Sequence, residues 1–262
     1  MKYAVDLNGK TAIVTGSTRG IGFGIAEALA ACGANVMIVG TNAESAEAAA
    51  EKLRAKGATV KACACDVTNE EDVQKMIDFT VAEFGAIDLL YNNAGTISMC
   101  TIEDMTLDAW ENIFAVNCRG VFLCSRAVIP YMKKNGGGRI ISTSSQGGKT
   151  GLSLLTHYCA TKAAVIGFTK GLALELAGDN IRVNCICPGS VMTDMTRREA
   201  QWAAERSGGE AQDYIDLWEK AIPLGHYASP EDIANIAVFL ASDMADYMTG
   251  QAVNISGGQE MH

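Results

Sequence analysis

The sequence has few of the residues that mark several classes of protein. Only 4 of its 262 residues are proline and 19% are charged, while 48% are hydrophobic. Disordered chains contain too little apolar surface to fold, so this composition excludes disorder for the bulk of the chain. Basic residues number 21 against 30 acidic ones, which gives a net charge of −9. An acidic chain without a basic block is a poor partner for nucleic acid or for an anionic membrane.

The cysteines fit neither a disulfide framework nor a zinc site. There are nine of them, an odd number, and no Cys-x-x-Cys pair occurs. Their spacings match no zinc module. Most lie in apolar runs, where a free thiol behaves as a small hydrophobic side chain. We therefore expect a reduced, cytoplasmic protein without a metal site.

Long hydrophobic runs are also missing. Asp6, Asn8 and Lys10 precede any sustained apolar stretch, unlike the pattern of a secretory signal peptide. The longest apolar helical stretch that the pattern indicates, 233–241, is interrupted by Asn235 and is far too short to cross a bilayer. The expected protein is neither secreted nor embedded in a membrane.

Short apolar runs alternate with helical patterns along the chain. Strands are predicted at 11–15, 35–39, 59–65, 87–92, 139–143, 181–186 and 251–255, and helices at 21–31, 43–56, 69–84, 156–177 and 230–241, with two more over 106–134. This alternation is typical of parallel β-α-β units with right-handed crossovers. The sequence therefore predicts an α/β fold: one domain, 1–262, with a doubly wound, seven-stranded parallel sheet and helices on both faces.

A long polar insert at residues 189–226 interrupts the alternation. No repeat, low-complexity tract or linker divides the chain elsewhere. Inserts of this length in compact domains are often lids over a binding site. We predict an irregular segment that covers the substrate.

A glycine-rich turn follows the first predicted strand and reads Thr-Gly-Ser-Thr-Arg-Gly-Ile-Gly over 15–22. Glycine permits a tight turn and a close approach of the backbone to a ligand. The helix that follows offers free N–H groups and a positive dipole end to a pyrophosphate. The strand before and the helix after are the context that this motif requires. The turn predicts a dinucleotide site; the alternative is a glycine turn that only packs strand against helix.

The end of the second strand indicates which dinucleotide is bound. An acidic residue there would bind the ribose 2′-hydroxyl of NAD, but the sequence at 39–42 is Val-Gly-Thr-Asn. No carboxylate at this strand end repels a 2′-phosphate, and Arg19 with Thr41 would hold one. The sequence favours NADP, with NAD as the alternative, since Arg19 is equally compatible with a solvated loop.

Only one of the seven tyrosines is followed by lysine four residues later, at Tyr158 and Lys162. This spacing places both side chains on one face of a helix. The preceding strand ends in four hydroxyl residues, 142–145. We therefore expect a cluster of hydroxyl groups beside the phenol.

With these motifs in this order, the sequence resembles the short-chain dehydrogenase/reductase family over nearly its whole length. The shared residues are Thr15-Gly16-x3-Gly20-Ile21-Gly22, Asp66, Asn92-Asn93-Ala94-Gly95, Asn117, Ser145, Tyr158-x3-Lys162 and Pro188-Gly189-x3-Thr193. The resemblance implies a Rossmann-type fold and an NAD(P)-dependent oxidoreductase that acts on CH–OH groups. Ser145 stands thirteen residues before Tyr158, which favours it over the neighbouring Ser144.

The residue types explain the expected chemistry. Tyr158 would give a proton to the alkoxide that forms when hydride reaches a carbonyl, or take the alcohol proton in the reverse direction. A free phenol has a pKa of about 10, and we expect Lys162 and a positive nicotinamide to lower it. Ser145 would orient the substrate oxygen. The resemblance implies that Lys162 also holds the ribose and that Asn117 positions a water linking Lys162 to solvent.

Further residues are assigned to the cofactor and the substrate. The candidate cofactor residues are Gly16, Thr18, Arg19, Gly20, Ile21, Gly22, Thr41, Asp66, Val67, Asn93, Ala94, Gly95, Tyr158, Lys162, Pro188, Gly189, Val191 and Thr193. The resemblance implies that Asp66 and Val67 face adenine, although Asp66 alone is equally compatible with a helix cap. It places Val191 and Thr193 at the nicotinamide carboxamide. The candidate pocket residues are Ser145, Gln146, Leu152, Tyr158, Ser190 and Trp202.

Polar side chains crowd the predicted lid, which favours a small hydroxylated or anionic substrate over a steroid or a long acyl chain. The last residues, Gly-Gly-Gln-Glu-Met-His, resemble those of polyol and sugar dehydrogenases. The leading hypothesis is therefore an oxidoreductase of a polyol or sugar.

Two other functions and an assembly state are open. One alternative is a 3-oxoacyl-carrier-protein reductase, for which Arg119 and Arg126 form only a thin basic patch. The other is a non-catalytic nucleotide-sensing regulator, which would usually lack the tyrosine or the lysine. The resemblance also implies a homotetramer built through the helices over 106–134 and 156–177, whose apolar stripes contain Phe122, Val128, Ile129, Val165, Phe168 and Leu172.

Overall fold

The computed structural model describes residues 5–262 and contains one seven-stranded sheet. The strands are β1 (Thr11–Thr15), β2 (Asn35–Gly40), β3 (Val60–Ala64), β4 (Leu89–Asn92), β5 (Gly138–Thr143), β6 (Ile181–Pro188) and β7 (Ala252–Ile255). Their order is β3-β2-β1-β4-β5-β6-β7, and every neighbouring pair is parallel. The prediction of a doubly wound parallel sheet is confirmed, with the predicted strand ends displaced by at most two residues.

Helices cover both faces of the sheet. They are α1 (Gly20–Ala31), α2 (Ala43–Arg54), α3 (Glu70–Phe84), α4 (Leu107–Phe114), α5 (Gly120–Lys134), α6 (Thr156–Leu176), α7 (Asp194–Ser207), α8 (Ala211–Lys220) and α9 (Pro230–Ala241). One apolar cluster joins the sheet to α1, α2 and α9, and a second joins it to α3, α5 and α6. Strands covered on both faces are continuously apolar, as β1 is, because neither face meets water.

The strand order reverses between β1 and β4, since the chain winds outward in both directions from these central strands. At such a reversal, the loops that leave the carboxyl ends of the two strands separate and form a crevice. The glycine-rich turn after β1 and the loop after β4 therefore lie on either side of one site.

The segment predicted as two helices, 106–134, is one continuous helical stretch. α4 passes into α5 through a π-helical turn at Ala115–Arg119. A π turn adds a residue to the helix and redirects a side chain, and here it contains the buried Asn117. By length and composition alone this 28-residue helix is apolar enough to cross a membrane. The prediction that 233–241 is the longest apolar helical stretch is thus wrong, because the π turn joins two shorter stretches.

The insert predicted to be irregular contains two helices, α7 and α8. They pack together through a small apolar cluster of Ala200, Ile215, Ile222 and Tyr227. Half of their remaining residues are both polar and exposed, which explains why the composition resembles that of a loop. A parallel bridge between Val191 and Ala228 closes the base of the insert.

Candidate active site

The turn between β1 and α1 is fixed by close backbone contacts. Gly16 and Gly20 have φ values of 62° and 56°, in the left-handed region that favours glycine. A Cβ on Gly22 would lie 2.3 Å from the Gly16 carbonyl oxygen and 2.4 Å from Nδ2 of Asn93. Arg19, the N-cap of α1, makes no side-chain cap hydrogen bond. The first N–H groups of α1 therefore suit a pyrophosphate, the group that such a helix end binds.

The loop after β4 is tied to the same turn. Thr15 Oγ1 accepts the N–H groups of Asn93 and Ala94, both at 3.0 Å. Asn93 Nδ2 donates to the carbonyl oxygens of Thr15 and of the next residue, both at 3.1 Å. A Cβ on Gly95 would lie 3.6 Å from Nζ of Lys162. The structure thus brings the glycine turn, the β4 loop and Lys162 to one edge of the sheet.

The residues predicted to hold a 2′-phosphate are accessible. Arg19 and Thr41 are exposed, and none of the ion pairs within residues 5–262 involves Arg19. A Cβ on Gly40 would lie 2.5 Å from the methyl group of Thr18. The glycine turn therefore contacts the end of β2, as a shared adenosine site requires.

Asp66 and Val67 follow β3 in different environments. The exposed Asp66 carboxylate accepts the N–H of Thr68 at 2.9 Å and its hydroxyl at 2.8 Å. Asn69, not Asp66, caps α3, so the interpretation of Asp66 as a helix cap is wrong. Val67 is buried, and a Cβ on Gly120 of α5 would lie 2.8 Å from it.

α6 places Tyr158 and Lys162 at the carboxyl end of β5. Lys162 is 5% exposed, and its Nζ donates to the carbonyl oxygen of Thr143 at 2.9 Å. The same Nζ lies 5.5 Å from the centre of the Tyr158 ring. The Ser145 hydroxyl acts on the phenol and lowers its pKa. Phenol, ammonium and hydroxyl are therefore grouped in the structure.

The two neighbouring serines point to different partners. Ser144 is buried and donates from Oγ to the carbonyl oxygen of Lys162 at 2.8 Å. Ser145 Oγ accepts the N–H of Gly147 at 3.0 Å and lies beside the phenol. The Ser144 hydroxyl is thus used within the protein, and the choice of Ser145 over Ser144 stays a prediction.

Burial dominates the electrostatics of this group. It raises the pKa of the Tyr158 phenol above its ordinary value of 10.0, while the Ser145 hydroxyl lowers this pKa and the charge of Glu199 raises it. Burial also lowers the pKa of Lys162 from 10.5 to about 8. The expectation that Lys162 lowers the pKa of the phenol is not met by the protein alone, because desolvation opposes both charged forms.

Asn117 joins the π turn to the β4 loop and to α6. Its Oδ1 accepts the N–H of Thr96 at 2.8 Å. Its Nδ2 donates to the carbonyl oxygen of Thr96 at 3.0 Å and to Oγ1 of Thr161 at 3.1 Å. Both amide hydrogens are used within the protein, and the contact with Thr161 fixes α6 one residue before Lys162.

The residues predicted near the nicotinamide follow β6. Pro188 ends the strand, and Val191 bridges to Ala228. Thr193 caps α7, and its methyl group lies 3.7 Å from the place a Cβ would take on Gly20. The start of the insert therefore contacts the glycine turn.

The candidate pocket residues lie in three places. Gln146 and Leu152 flank the loop after β5, where the buried Gln146 Oε1 has no hydrogen-bond partner among the described residues. Ser190 follows β6. Trp202 lies on α7 with the guanidinium of Arg198 4.9 Å from its ring centre. The structure thus associates Trp202 with Arg198 on the same helix.

Sequence reasoning gave no site role to Glu199. This residue lies on α7, half-buried, and burial raises the pKa of its carboxyl group from 4.5 to about 7. Its charge raises the pKa of the Tyr158 phenol. Glu199 precedes the buried Ala203 by four residues, and this helical spacing is the signal that would have placed it on the inner face.

His157 is a second buried polar residue next to the phenol in sequence. It is fully buried, and its Nε2 lies 2.7 Å from Oγ of Ser98 in the β4 loop. Burial lowers the pKa of its imidazole below 6.5. Its side chain packs away from Tyr158 and links α6 to the β4 loop.

Comparison with known proteins agrees with this geometry. A family model described as Enoyl-(Acyl carrier protein) reductase matches residues 16–260. The chain belongs to the short-chain dehydrogenase/reductase family. It is an NAD(P)-dependent oxidoreductase that acts on CH–OH groups and interconverts secondary alcohols and ketones.

Individual members of the family differ in their substrates. The chain is 40% identical to a 3-oxoacyl-[acyl-carrier-protein] reductase of Chlamydia muridarum, over 95% of this chain and 96% of the relative. It is also 40% identical to D-threitol dehydrogenase of Mycolicibacterium smegmatis, over 96% and 93%. The crystal structure of L-sorbose reductase from Gluconobacter frateurii, complexed with NADPH and L-sorbose, superposes with a TM-score of 0.93 at 35% identity, covering 99% of this chain and 100% of that one.

Proposed function

We propose that this short-chain dehydrogenase/reductase acts on a small polyol or sugar with NADP(H) as cofactor. The observation that carries the proposal is the half-buried carboxyl group of Glu199 on α7, whose charge acts on the phenol of Tyr158. A carboxyl group accepts hydrogen bonds from neighbouring hydroxyl groups, whereas an alkyl chain or steroid would leave it without a partner. The relatives that act on threitol and bind sorbose support the same substrate class.

The preference for NADP(H) rests on the end of β2. The exposed Arg19 and Thr41 offer a guanidinium and a hydroxyl to a 2′-phosphate, and no acidic residue stands at 39–42. Guanidinium groups bind phosphate through paired, charge-assisted hydrogen bonds. NAD(H) remains the alternative cofactor.

The catalytic roles follow from the groups around the phenol. A bound nicotinamide supplies or accepts the hydride at the substrate carbon. Tyr158 Oη gives its proton to the forming alkoxide in reduction and takes the alcohol proton in oxidation, and its raised pKa keeps it protonated at neutral pH. Ser145 orients the substrate oxygen. Lys162 has two of its three N–H donors left for the ribose hydroxyls, and Asn117 positions α6 and the β4 loop.

We assign the insert 189–226 the role of a substrate cover within a single domain, 1–262. Its base bridges Val191 to Ala228, and its first helix begins against the glycine turn. Cofactor and substrate would therefore meet beneath α7, where Glu199 lies. Closure there would exclude water from the reacting carbon.

A 3-oxoacyl-carrier-protein reductase is the second candidate, and the Chlamydia muridarum relative favours it. An acidic carrier protein needs a basic surface on its partner. Arg126, however, pairs with Glu70 and stacks on Phe122, which leaves Arg119 as the other predicted basic residue of this face. The presence of both Tyr158 and Lys162 in one group argues against a non-catalytic regulator.

We also infer a cytoplasmic homotetramer. All nine thiols are free, as a reducing compartment requires. An apolar groove of about 350 Å³ between α5 and α6 is lined by Cys118, Arg119, Val121, Phe122, Ala164, Val165 and Phe168. Of the stripes predicted for assembly, Val128, Val165 and Leu172 lie in the core, so the exposed contact centres on Phe122 and the half-buried Phe168.

A panel of substrates tests this assignment. Purified protein is assayed with NADPH and NADH against a ketose such as L-sorbose, a small diketone and a 3-oxoacyl thioester. We expect kcat/KM for the ketose with NADPH to exceed that for the thioester by about tenfold or more. Tyr158→Phe should lose turnover and still bind NADPH by fluorescence. A preference for the thioester would establish the second candidate, and a preference for NADH would overturn the role given to Arg19 and Thr41.

A further inference from the structure

The turn after β7, residues 256–259, is a rigid unit; we call it the β7 turn. Gly257 and Gly258 have φ values of 60° and 92°. The N–H of Gln259 donates to the Ser256 carbonyl oxygen at 3.1 Å. Ser256 Oγ donates to the carbonyl oxygen of Glu260 at 2.9 Å and accepts its N–H at 3.1 Å. Two left-handed glycines and these reciprocal hydrogen bonds hold one conformation outside any helix or strand.

One side of the β7 turn packs against the loop that follows β6. Gln259 Oε1 accepts the N–H of Ser190 at 3.0 Å. The N–H of Gly189 donates to the carbonyl oxygen of Ile255 at 2.9 Å. A Cβ on Gly189 would lie 2.7 Å from Cα of Ser256 and 2.9 Å from Gln259 Oε1. Glycine is required at 189 because the β7 turn occupies that space.

The other side of the β7 turn supports the end of the insert. The N–H of Leu224 donates to the carbonyl oxygen of Gly257 at 3.1 Å. A Cβ on Gly257 would lie 2.8 Å from Ile222, and one on Gly258 would lie 3.0 Å from Pro223. Residues 222–224 follow α8, so the β7 turn touches the insert shortly before the insert returns to the sheet.

The backbone of Ser190 forms hydrogen bonds with two different segments. Its N–H donates to Oε1 of Gln259, and its carbonyl oxygen accepts the N–H of Ala228 at 3.1 Å. The carbonyl oxygen of Ala228 in turn accepts the N–H of Met192 at 2.9 Å. One peptide after β6 therefore connects the β7 turn to both ends of the insert.

We propose that Gln259 is a positioning residue for substrate binding. Its amide oxygen holds the Ser190 N–H and so sets the place of the loop 189–191 and of the base of the insert over the active site. Without that acceptor, the partly buried N–H has no protein partner, and the loop shifts to find one. The inference rests on the proposed role of 189–226 as the substrate cover. It assigns Gln259 no contact with the reacting atoms.

Three variants test the proposal. Gln259→Leu keeps the side-chain volume and removes the acceptor, whereas Gln259→Glu keeps an oxygen acceptor. Gln251→Leu is the matched control, because Gln251 donates to the Thr249 carbonyl oxygen at 3.0 Å and is exposed just before β7. For Gln259→Leu we expect KM of the substrate turned over to rise about fivefold, the factor that one hydrogen bond supplies, while kcat changes by less than about twofold. Gln259→Glu should restore KM, and Gln251→Leu should match the wild type.

Hydrogen exchange gives a readout that does not depend on the substrate. The peptide containing Ser190 should exchange faster in Gln259→Leu than in the wild type, and Gln259→Glu should restore its protection. This result tests the positioning role even if the polyol assignment fails in the substrate panel. Unchanged exchange in Gln259→Leu would overturn the proposal. Equal impairment of both Gln259 variants, or a fall in kcat that follows a fall in thermal stability, would also overturn it.

Discussion

The burial of Lys162 at the active site costs folding free energy. The side chain is 5% exposed, and one hydrogen bond, to the Thr143 carbonyl oxygen, satisfies it within the protein. An ammonium group has three donors, and a buried cation with two of them unsatisfied costs free energy. Groups with such perturbed pKa values cluster at functional sites, because ligand binding supplies the missing partners.

Replacing this lysine should therefore stabilise the fold. The pKa of Lys162 is lowered from 10.5 to about 8, so the folded protein bears the full cost of the charge below pH 8. That cost vanishes above pH 10.5, where both states are neutral. Lys162→Met should raise the free energy of unfolding at pH 7 by about 2 kcal/mol, after loss of the Thr143 hydrogen bond is counted. The gain should shrink as pH rises from 8 to 10.5.

Denaturant unfolding of both proteins across pH 7 to 10.5 measures this difference, and an activity assay accompanies it. We expect Lys162→Met to lose turnover while it gains stability. A variant that is less stable than the wild type at pH 7 would show that the ammonium is a structural ion and contradict the desolvation argument.

Glu199 should set the pH dependence of oxidation. Its charge raises the pKa of Tyr158, and its own pKa of about 7 leaves it charged in mildly alkaline solution. Glu199→Gln removes that charge, so the phenolate forms more readily. The pH at which alcohol oxidation reaches half its maximum should therefore fall. The control is Glu205→Gln, an exposed acid on the same helix that accepts from Gln201. Equal pH–rate profiles for Glu199→Gln and the wild type would remove Glu199 from the site.

At the residue scale, the spacing of residues in the sequence predicts which side chains lie together better than it predicts their burial and pKa values. The interval of four residues places Tyr158 and Lys162 on one helix face, and the structure groups them with Ser145. The dominance of burial over the ammonium was not predictable, because desolvation depends on all the atoms around a group. Glu199 was missed for a similar reason: its burial is set by packing between α7 and the rest of the site.

At the scale of elements, the conformation of the glycine turn is fixed by steric contacts that exclude larger side chains. A Cβ on Gly22 would collide with the Gly16 carbonyl oxygen and with Asn93. A Cβ on Gly171, in α6, would meet no atom within 4 Å. The two positions therefore predict opposite results for the same substitution.

Gly22→Ala should destabilise the protein by about 1–3 kcal/mol, because the overpacked turn must move. It should also weaken NADPH binding. Gly171→Ala should stabilise it by up to about 1 kcal/mol through helix propensity. Thermal unfolding and NADPH fluorescence titration measure both effects. Normal cofactor affinity in Gly22→Ala would show that the turn does not shape the cofactor site.

The elements that the sequence predicts poorly are those whose conformation depends on contacts with residues far away in the sequence. Strands and helices of the sheet follow from apolar runs ended by glycine. The π turn around Asn117 has no local signal, since its hydrogen bonds go to Thr96 and Thr161 on other elements. The composition predicts an irregular segment where α7 and α8 lie, because only a narrow face of each helix is apolar.

At the scale of the whole molecule, the helix Leu107–Lys134 has two faces. Leu123, Cys124 and Val128 pack into the core against the sheet. On the other side, Phe122 is 43% exposed and lines the groove between α5 and α6. An exposed apolar face of this kind marks an interaction surface, and the homotetramer proposed above would bury it against a second copy.

Phe122→Glu should therefore dissociate the assembly. A carboxylate in an apolar interface between copies is costly to desolvate, whereas on a single 27.6 kDa chain it would lie in solvent beside Arg126. The matched control is Phe79→Glu, a phenylalanine 37% exposed on α3, away from the groove. In sedimentation velocity we expect the wild type and Phe79→Glu to form the same oligomer and Phe122→Glu to form a smaller species. A wild-type protein that sediments as a single chain, or a Phe122→Glu variant that remains fully assembled, would contradict assembly through this groove.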